Sequence, residues 1–318
     1  MRLERCSVQT LQTFNPHVLK QFLQTNETLL RPKFPEPRKS RRLNTGRPRI
    51  GPRWVIVALS ILGRLQNISW RNMPDQFSSC EFLIDEGYLT KIPCKSTFHA
   101  TWNSIQIKSL ESWTRKLGYA IAKQSDYALA CDSTGFKRVG SSLWGYLKWV
   151  PTRLSKTSKI FVKAHICVSL PSRAIIAICF SRSIDNDTKI FAKIWKQISK
   201  RLLPCVKRFY LDNGYWSVNI LGLIDQHDIY PVVKPRTGLK DWGTSSPTDL
   251  VVRAYNNYPG LYQHNHKPNL RSSVEHVFGL IKLRPVLLYD RKERNKLKTL
   301  LIPFLWYNFI LYTREVKC

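Results

Sequence analysis

The sequence predicts an α/β protein in which a mixed five-stranded sheet is flanked by helices and preceded by an all-helical module. Three observations lead to this fold class. An apolar content of 43% with 12% aromatic residues suits a folded core. Up to about residue 122 the apolar residues recur at helical spacing, whereas after Tyr127 short runs rich in Ile, Val and Phe are typical of strands. Helical segments then alternate with further strand-like runs.

The charge of the chain indicates a polyanionic partner. Its 318 residues carry 51 Lys and Arg against 21 Asp and Glu, a net charge of +30. Nucleic acid is the first candidate and an anionic membrane the second. The longest apolar runs, 54–63 and 299–312, are shorter than the roughly 20 residues that span a bilayer, so we expect no membrane partner.

Other function classes are excluded by missing motifs. The first 20 residues are polar and mixed rather than a signal peptide, so we expect a cytoplasmic, nucleoid-associated protein. The eight cysteines contain no CxxC pair, which argues against structural zinc and a disulfide framework. Neither GxGxxG nor GxxxxGK[ST] occurs, so no nucleotide-binding loop is indicated.

The first 122 residues are predicted to form two regions. Residues 1–45 comprise short helices and the start of a basic, proline-rich arm that continues to residue 53. This arm is either a solvated connector or a segment that lies along DNA phosphates. Its candidate phosphate contacts are Arg41, Arg42, Arg47 and Arg49. Residues 46–122 form a helical module, either a helix-turn-helix that binds DNA or a helical cap on the next domain.

Residues 123–318 are predicted to form a third region built on the sheet. Apolar runs indicate five strands, of which the second and third form a hairpin around Pro171–Ser172. The order is three strands, helix, strand, helix, strand and helix, which fits a ribonuclease-H-like sheet. A polar stretch at about 236–268 is expected to be an irregular insertion before the helix at 269–282, and an apolar helix ends the chain.

Two aspartates follow apolar strand runs, and a glutamate lies on the late helix. Asp132 and Asp212 are expected where strands end. Catalytic groups are common at such positions because the sheet holds their side chains rigidly. Glu275 is the only acid between Asp249 and Asp290. Three carboxylates form a hard oxygen-ligand set for two Mg²⁺ or Mn²⁺ ions that act on a phosphodiester. The alternative for each aspartate is a turn or a helix cap.

Two cations share the helix face of Glu275. At about 100° per residue, Arg271, Glu275 and Lys282 lie within about 40° of one line. The apolar Val274, Phe278 and Ile281 lie beside them and are expected to pack on the core. The alternative is an ordinary Arg–Glu pair at i, i+4 on a solvated face.

These motifs resemble those of the DDE transposases of bacterial and archaeal insertion sequences, in the group of families four and five. Asp132–Gly135 is similar to the strand motif of the first aspartate, and Asp212–Tyr215 to the D-x-G-Y motif of the second. Arg271, Glu275 and Lys282 stand at the spacings of the Y-(2)-R-(3)-E-(6)-K signature, in which Pro268 replaces the tyrosine. The resemblance extends over about residues 45–314.

The resemblance implies a ribonuclease-H-like catalytic domain that cuts the terminal inverted repeats of an element and joins the 3′-hydroxyl to target DNA. Asp132, Asp212 and Glu275 would be the catalytic metal ligands, and Arg271 and Lys282 would hold phosphates. It also implies a homodimer on paired ends. The alternatives are a ribonuclease-H-like nuclease without strand transfer and a catalytically decayed, DNA-binding relative of a transposase.

Overall fold

A computed structural model of the protein describes residues 16–32, 34, 50–122, 126–137, 161–182, 185–198, 205–235, 238–266, 268–283 and 292–315. The four arginines predicted to contact DNA from the basic arm, Arg41, Arg42, Arg47 and Arg49, lie outside the described residues. The chain divides into two compact units. One takes its described residues from Met1–Trp113 and Tyr289–Pro303, the other from Thr114–Leu288 and Phe304–Cys318.

The first unit is helical where it is described, as predicted for the N-terminal part of the chain. Its helices are α1 (Pro16–Leu30), α2 (Arg53–Leu65), α3 (Met73–Ser78), α4 (Phe82–Asp85) and α5 (Lys95–Ser104). Helix α2 is buried from Trp54 to Leu65, because its apolar residues run around the whole helix rather than along one stripe. Helices α6 (Ile107–Ile121) and α12 (Glu293–Glu315) contain the limits of the two units.

The second unit is built on a five-stranded mixed sheet. Its strands are β1 (Ala128–Lys137), β2 (Phe161–Leu170), β3 (Ile175–Arg182), β4 (Arg208–Leu211) and β5 (Tyr230–Val233). They lie in the order β3-β2-β1-β4-β5. Strands β1, β2 and β3 pair antiparallel, whereas β4 pairs parallel with both β1 and β5. This order and these directions confirm the predicted ribonuclease-H-like sheet.

Helices flank this sheet in the predicted order. They are α7 (Asp187–Ile198), α8 (Val218–Asp225), α9 (Pro247–Asn257), α10 (Pro259–His266) and α11 (Ser272–Lys282), with 3₁₀ turns at Asn213–Tyr215 and Pro268–Arg271. One core cluster joins α7, β4 and α8 through buried side chains such as Phe191, Phe209 and Leu221. No helix in the described part of the chain is long and apolar enough to cross a membrane.

The predicted irregular insertion differs from the structure, because it contains α9 and α10. Ser246 caps α9 by accepting a hydrogen bond from the backbone of Asp249 at 3.2 Å. Pro247 and Pro259 are the first residues of the two helices, where a missing N–H costs no helical hydrogen bond. Prolines that suggested loops therefore mark helix starts.

Asn308 on α12 fixes the edge strand β3 within the second unit. Its fully buried side chain accepts a hydrogen bond from the Ile175 N–H at 3.0 Å. Its Nδ2 donates to the carbonyl oxygens of Ile175 and Thr114, both at 2.8 Å. On the edge of β3 that faces away from β2, the backbone groups of Ile175 are thus satisfied by a side chain.

Candidate active site

The pairing of β1 with β4 brings Asp132 and Asp212 side by side. The parallel ladder between these strands ends at the pair Cys131 and Leu211, and each aspartate is the next residue. Asp212 follows its strand, as predicted. Asp132 does not end β1, which continues to Lys137 because β2 pairs with it along its whole length. The predicted strand end is thus wrong for β1 as a whole and holds only on its β4 side.

Helix α11 brings Glu275 to the same place. Its buried residues are Val274, Val277, Phe278 and Ile281, which include the three predicted to face the core. Glu275 lies in the first turn of α11, on the side that remains exposed. Helix α11 is therefore amphipathic: its apolar face packs on the core, and Glu275 lies on its exposed face.

Arg271 contacts all three carboxylates. Its Nη2 donates to Glu275 Oε1 at 2.7 Å, while its Nη1 lies 3.3 Å from Asp132 Oδ2 and 3.5 Å from Asp212 Oδ1. The predicted i, i+4 pair with Glu275 is present, but a solvated surface pair alone would not reach the two aspartates. One guanidinium thus marks the point where three acids from β1, the end of β4 and α11 converge.

The three acids differ in their exposure. The side chain of Asp132 is 14% exposed, against 45% for Asp212 and 53% for Glu275. Burial raises the pKa of Asp132 to about 6, while the Ser133 N–H at 2.7 Å and the nearby Arg271 act in the opposite direction. Asp132 is therefore the buried member of the cluster, and Asp212 and Glu275 lie on its solvent-exposed side.

The carboxylates fit a divalent metal in donor chemistry and convergence. All are hard oxygen ligands of the kind that Mg²⁺ and Mn²⁺ prefer, and each lies within 3.5 Å of the same guanidinium. No group of three or more His, Cys, Asp or Glu side chains in the described ranges is already arranged to hold a metal ion. The acids are instead oriented towards Arg271.

Lys282 lies on the far end of α11 and contacts β1 rather than the carboxylates. Its Nζ donates to Thr134 Oγ1 and lies 5.6 Å from the centre of the Phe136 ring. Burial lowers the pKa of Lys282, and the charge of Asp132 opposes that shift. This predicted phosphate contact therefore lies beside the strand that carries Asp132, two residues beyond that acid.

Sequence reasoning missed a fourth carboxylate, Asp187, which lies behind the cluster. Asp187 begins α7, accepts a hydrogen bond from Ser133 Oγ at 3.2 Å and pairs with Lys163. The signal was present in the helical spacing, because Ile190, Phe191 and Ile194 follow Asp187 by three, four and seven residues. An acid on the apolar face of a helix indicates a buried polar contact.

The tyrosine position of the resembled signature is occupied by the first residue of a 3₁₀ turn. Pro268 begins the turn Pro268–Arg271, which leads directly into α11. A proline suits the start of such a turn because its φ angle is fixed and its missing N–H is not needed there. Proline in place of the signature tyrosine is therefore compatible with the backbone turn that ends at Arg271.

Comparisons with known proteins give two matches. The chain is similar to the cryo-EM structure of a piggyBac transposase synaptic complex with hairpin DNA, at 11% sequence identity and a TM-score of 0.44. That match covers 96% of this chain and 76% of the other. No curated protein matches the chain. The model of the transposase DDE domain family matches residues 123–309, which is more than half of the chain and includes all three acids. The chain therefore belongs to the transposase DDE domain family.

Proposed function

We propose that this transposase cleaves DNA at the ends of an insertion sequence of the family four and five group, then joins the freed 3′-hydroxyl to target DNA. Membership of the transposase DDE domain family supports an enzyme that acts on DNA by transposition. The observation that carries the proposal is the convergence of Asp132, Asp212 and Glu275 on one guanidinium. Three acids from separate elements meet there in a chain of net charge +30.

The three carboxylates are the proposed ligands of two Mg²⁺ or Mn²⁺ ions. Transposases of this family generally use divalent metal ions. When bound, such ions stabilise charge on the phosphate oxygens and lower the pKa of the attacking hydroxyl. Asp132 is held in place by the sheet and by the Ser133 N–H, whereas Asp212 and Glu275 occupy the open side from which DNA approaches.

Arg271 and Lys282 are proposed to hold phosphates beside the reacting bond. The planar guanidinium of Arg271 can engage two phosphate oxygens at once, whereas the ammonium of Lys282 acts as a point charge. The side chain of Arg271 lies among the carboxylates, and that of Lys282, at the end of α11, contacts Thr134 on β1. Their positive charge reduces the repulsion between the acids and the DNA backbone.

The proposed partners are the terminal inverted repeats of the element and the target DNA. The net charge of +30 supports a polyanionic partner, and each neutralised phosphate releases counterions. The basic arm with Arg41, Arg42, Arg47 and Arg49 is a further proposed DNA contact, and the helical module at 46–122 is the proposed reader of element ends. We propose a homodimer on paired ends.

The test is a reaction between the full chain, Mg²⁺, a target plasmid and a DNA duplex carrying the genomic sequences that flank the gene. Denaturing gels should show breaks at the element ends and products in which these ends are joined to the plasmid. Cleavage without joining would replace the proposal with a nuclease lacking strand transfer. Binding without cleavage would identify a decayed relative, for which the departure at Pro268 offers a reason.

A further inference from the structure

Asp187 is a nearly buried carboxylate outside the set of proposed metal ligands. It is the first residue of α7, and its side chain is 13% exposed. Its Oδ1 accepts a hydrogen bond from Lys163 Nζ on β2, and its Oδ2 accepts one from Ser133 Oγ on β1 at 3.2 Å. Its two oxygens therefore bind two neighbouring strands of the sheet.

The contact with Ser133 acts on the segment that carries Asp132. Ser133 is the next residue, and its backbone N–H donates to Asp132 Oδ1 at 2.7 Å. The side chain of Ser133 is thus held by Asp187 while its backbone holds Asp132. The backbone of Asp132 pairs with Ile166 on β2, but it lies just beyond the β1–β4 ladder, so no residue of β4 holds it on that side.

Asp187 also contacts the turn that follows Asp212. A Cβ atom built on Gly214 would lie 3.0 Å from Asp187 Oδ2, closer than carbon and oxygen normally pack. The backbone of the turn Asn213–Tyr215 therefore lies directly against this carboxylate. Glycine is the residue that leaves room for this approach.

A buried hydrogen-bond network around His165 lies next to Asp187. His165 Nδ1 lies 3.9 Å from Asp187 Oδ1 and forms a 3.1 Å hydrogen bond with the hydroxyl of Tyr215, the last residue of the same turn. His165 Nε2 bonds Ser181 Oγ at 2.8 Å. The side chains of His165 and Tyr215 are fully buried, so the network belongs to the rigid core and not to the DNA-facing surface.

We propose that Asp187 is a positioning residue that fixes the backbone of Asp132 relative to the turn after Asp212. Asp132 lies on β1 and Asp212 directly follows β4, while Asp187 accepts a hydrogen bond from the residue after the first and lies against the turn after the second. A shift of about 1 Å in a catalytic group can lower a rate by about a hundred-fold. Contacts that hold Asp132 in place are therefore expected to increase the cleavage rate. This inference rests on the proposed DNA cleavage by the Asp132–Asp212–Glu275 cluster.

A charge pair that served stability alone would behave differently. Its loss would lower the melting temperature, while the rate per folded molecule would stay unchanged. A positioning role instead couples Asp187 to Ser133, because the two act on Asp132 through the same hydrogen bond. The coupling is measurable in a double-mutant cycle on the cleavage rate.

The cycle uses Asp187→Ala, Ser133→Ala and the double variant, with cleavage of the duplex carrying the gene-flanking sequences followed at saturating protein and Mg²⁺. We expect Asp187→Ala to slow single-turnover cleavage by about 30-fold and Ser133→Ala by about 10-fold, while the double variant is no slower than Asp187→Ala. DNA affinity should stay within about two-fold of the wild type, because neither side chain is a proposed phosphate contact. Asp187→Asn, which keeps an oxygen acceptor for Ser133, should recover part of the rate.

Asp126→Asn is the matched control. Asp126 is also buried and also accepts bonds from β2 and its turn, from Ser169 Oγ at 2.7 Å and the Ser172 N–H at 3.2 Å. It precedes β1 and does not contact Ser133 or the turn after Asp212. We expect a lower melting temperature with a cleavage rate per folded molecule within about two-fold of the wild type.

The outcomes separate the two proposals. If the wild type cleaves, wild-type rates in Asp187→Ala, or rate losses that multiply in the double variant, overturn the positioning role. If the wild type does not cleave, the proposed function fails, and the positioning role is judged on Mn²⁺ binding measured by electron paramagnetic resonance. Asp187→Ala should then weaken Mn²⁺ binding about five-fold or more, since displaced carboxylates bind metal less well. Equal affinity overturns it.

Discussion

Arg271 Nη2 donates a 2.7 Å hydrogen bond to Glu275 Oε1, and Nη1 of the same guanidinium lies 3.3 Å from Asp132 and 3.5 Å from Asp212. An i, i+4 pair between the turn before α11 and the first turn of α11 thereby extends to β1 and to the residue that follows β4. Because Arg271 contacts the same oxygens that the proposed divalent metal would bind, we expect the guanidinium and the metal to compete for them. This competition has a measurable consequence.

Replacing Arg271 with alanine should tighten Mn²⁺ binding in the absence of DNA. Removing one charge-assisted competitor is expected to raise the Mn²⁺ affinity about ten-fold, equivalent to about 1.4 kcal/mol. Isothermal titration calorimetry measures this affinity directly. Lys282→Ala is the matched control, because Lys282 is a nearby cation, at the end of α11, whose side chain contacts Thr134 instead of the carboxylates. Equal or weaker Mn²⁺ binding by the Arg271 variant would show that no competition exists.

Replacing Lys282 with glutamine should weaken DNA binding in a salt-dependent way. If Lys282 neutralises one phosphate, the slope of log affinity against log salt should become shallower by about one. Fluorescence anisotropy of a labelled duplex over a range of KCl concentrations gives the slope. Lys196→Gln, an exposed lysine on the second half of α7, should leave it unchanged. Identical slopes for wild type and Lys282→Gln would remove Lys282 from the DNA interface.

Acid should destabilise the protein through His165. Burial lowers the pKa of His165 to about 4, so the folded state disfavours the charged ring. The neighbouring Asp187 raises this pKa and Lys163 lowers it, but burial is the largest cause. Between about pH 6.5 and 4 the unfolded chain therefore binds a proton that the folded chain does not. This stabilising contribution is complete above about pH 6.5 and is lost as the pH falls towards 4.

The size of this loss can be isolated with His165→Gln. The wild type should lose about 3 kcal/mol more unfolding free energy than the glutamine variant between pH 7 and pH 4. Chemical denaturation at a series of pH values measures both. Parallel pH profiles would contradict a neutral, buried His165.

Replacing Asn308 with alanine should strongly destabilise the second unit. The change leaves the Ile175 N–H and the carbonyls of Ile175 and Thr114 without their buried partner, which is expected to cost about 2–4 kcal/mol. Denaturant unfolding of the full chain reports the loss. Asn257→Ala, at the exposed end of α9, should change stability by less than about 0.5 kcal/mol. An Asn308→Ala variant with unchanged unfolding free energy would show that water replaces the three hydrogen bonds without cost.

The strands and the helices that flank them were predictable because their apolar residues follow clear patterns along the sequence. Strands such as Phe161–Leu170 are apolar over most of their length, and α7 repeats its apolar residues at helical spacing. The insertion was misread because Pro247 and Pro259 carry the composition of a loop, and only the position of each proline at a helix start distinguishes the two cases. Local composition does not specify that position.

The candidate site was predictable in its members but not in its connections. Asp132 and Asp212 stood out because each follows an apolar strand run, and Glu275 because it is the only acid between Asp249 and Asp290. The role of Arg271 as a contact of all three, and that of Asp187 as a brace, depend on the register of β1 with β4 and β2. A register pairs residues that are distant in sequence, and the apolar pattern of fully buried parallel strands does not specify it.

The central claim is that Asp132, Asp212 and Glu275 together carry metal-dependent DNA cleavage. Single-turnover cleavage of the duplex with the gene-flanking sequences in Mg²⁺ tests it with Asp132→Asn, Asp212→Asn and Glu275→Gln. The control is Asp225→Asn, an exposed acid at the end of α8. Each cluster variant should lose about a thousand-fold or more in rate while still binding DNA, and the control should stay within about two-fold of the wild type. Wild-type cleavage by any one of the three cluster variants would contradict the account.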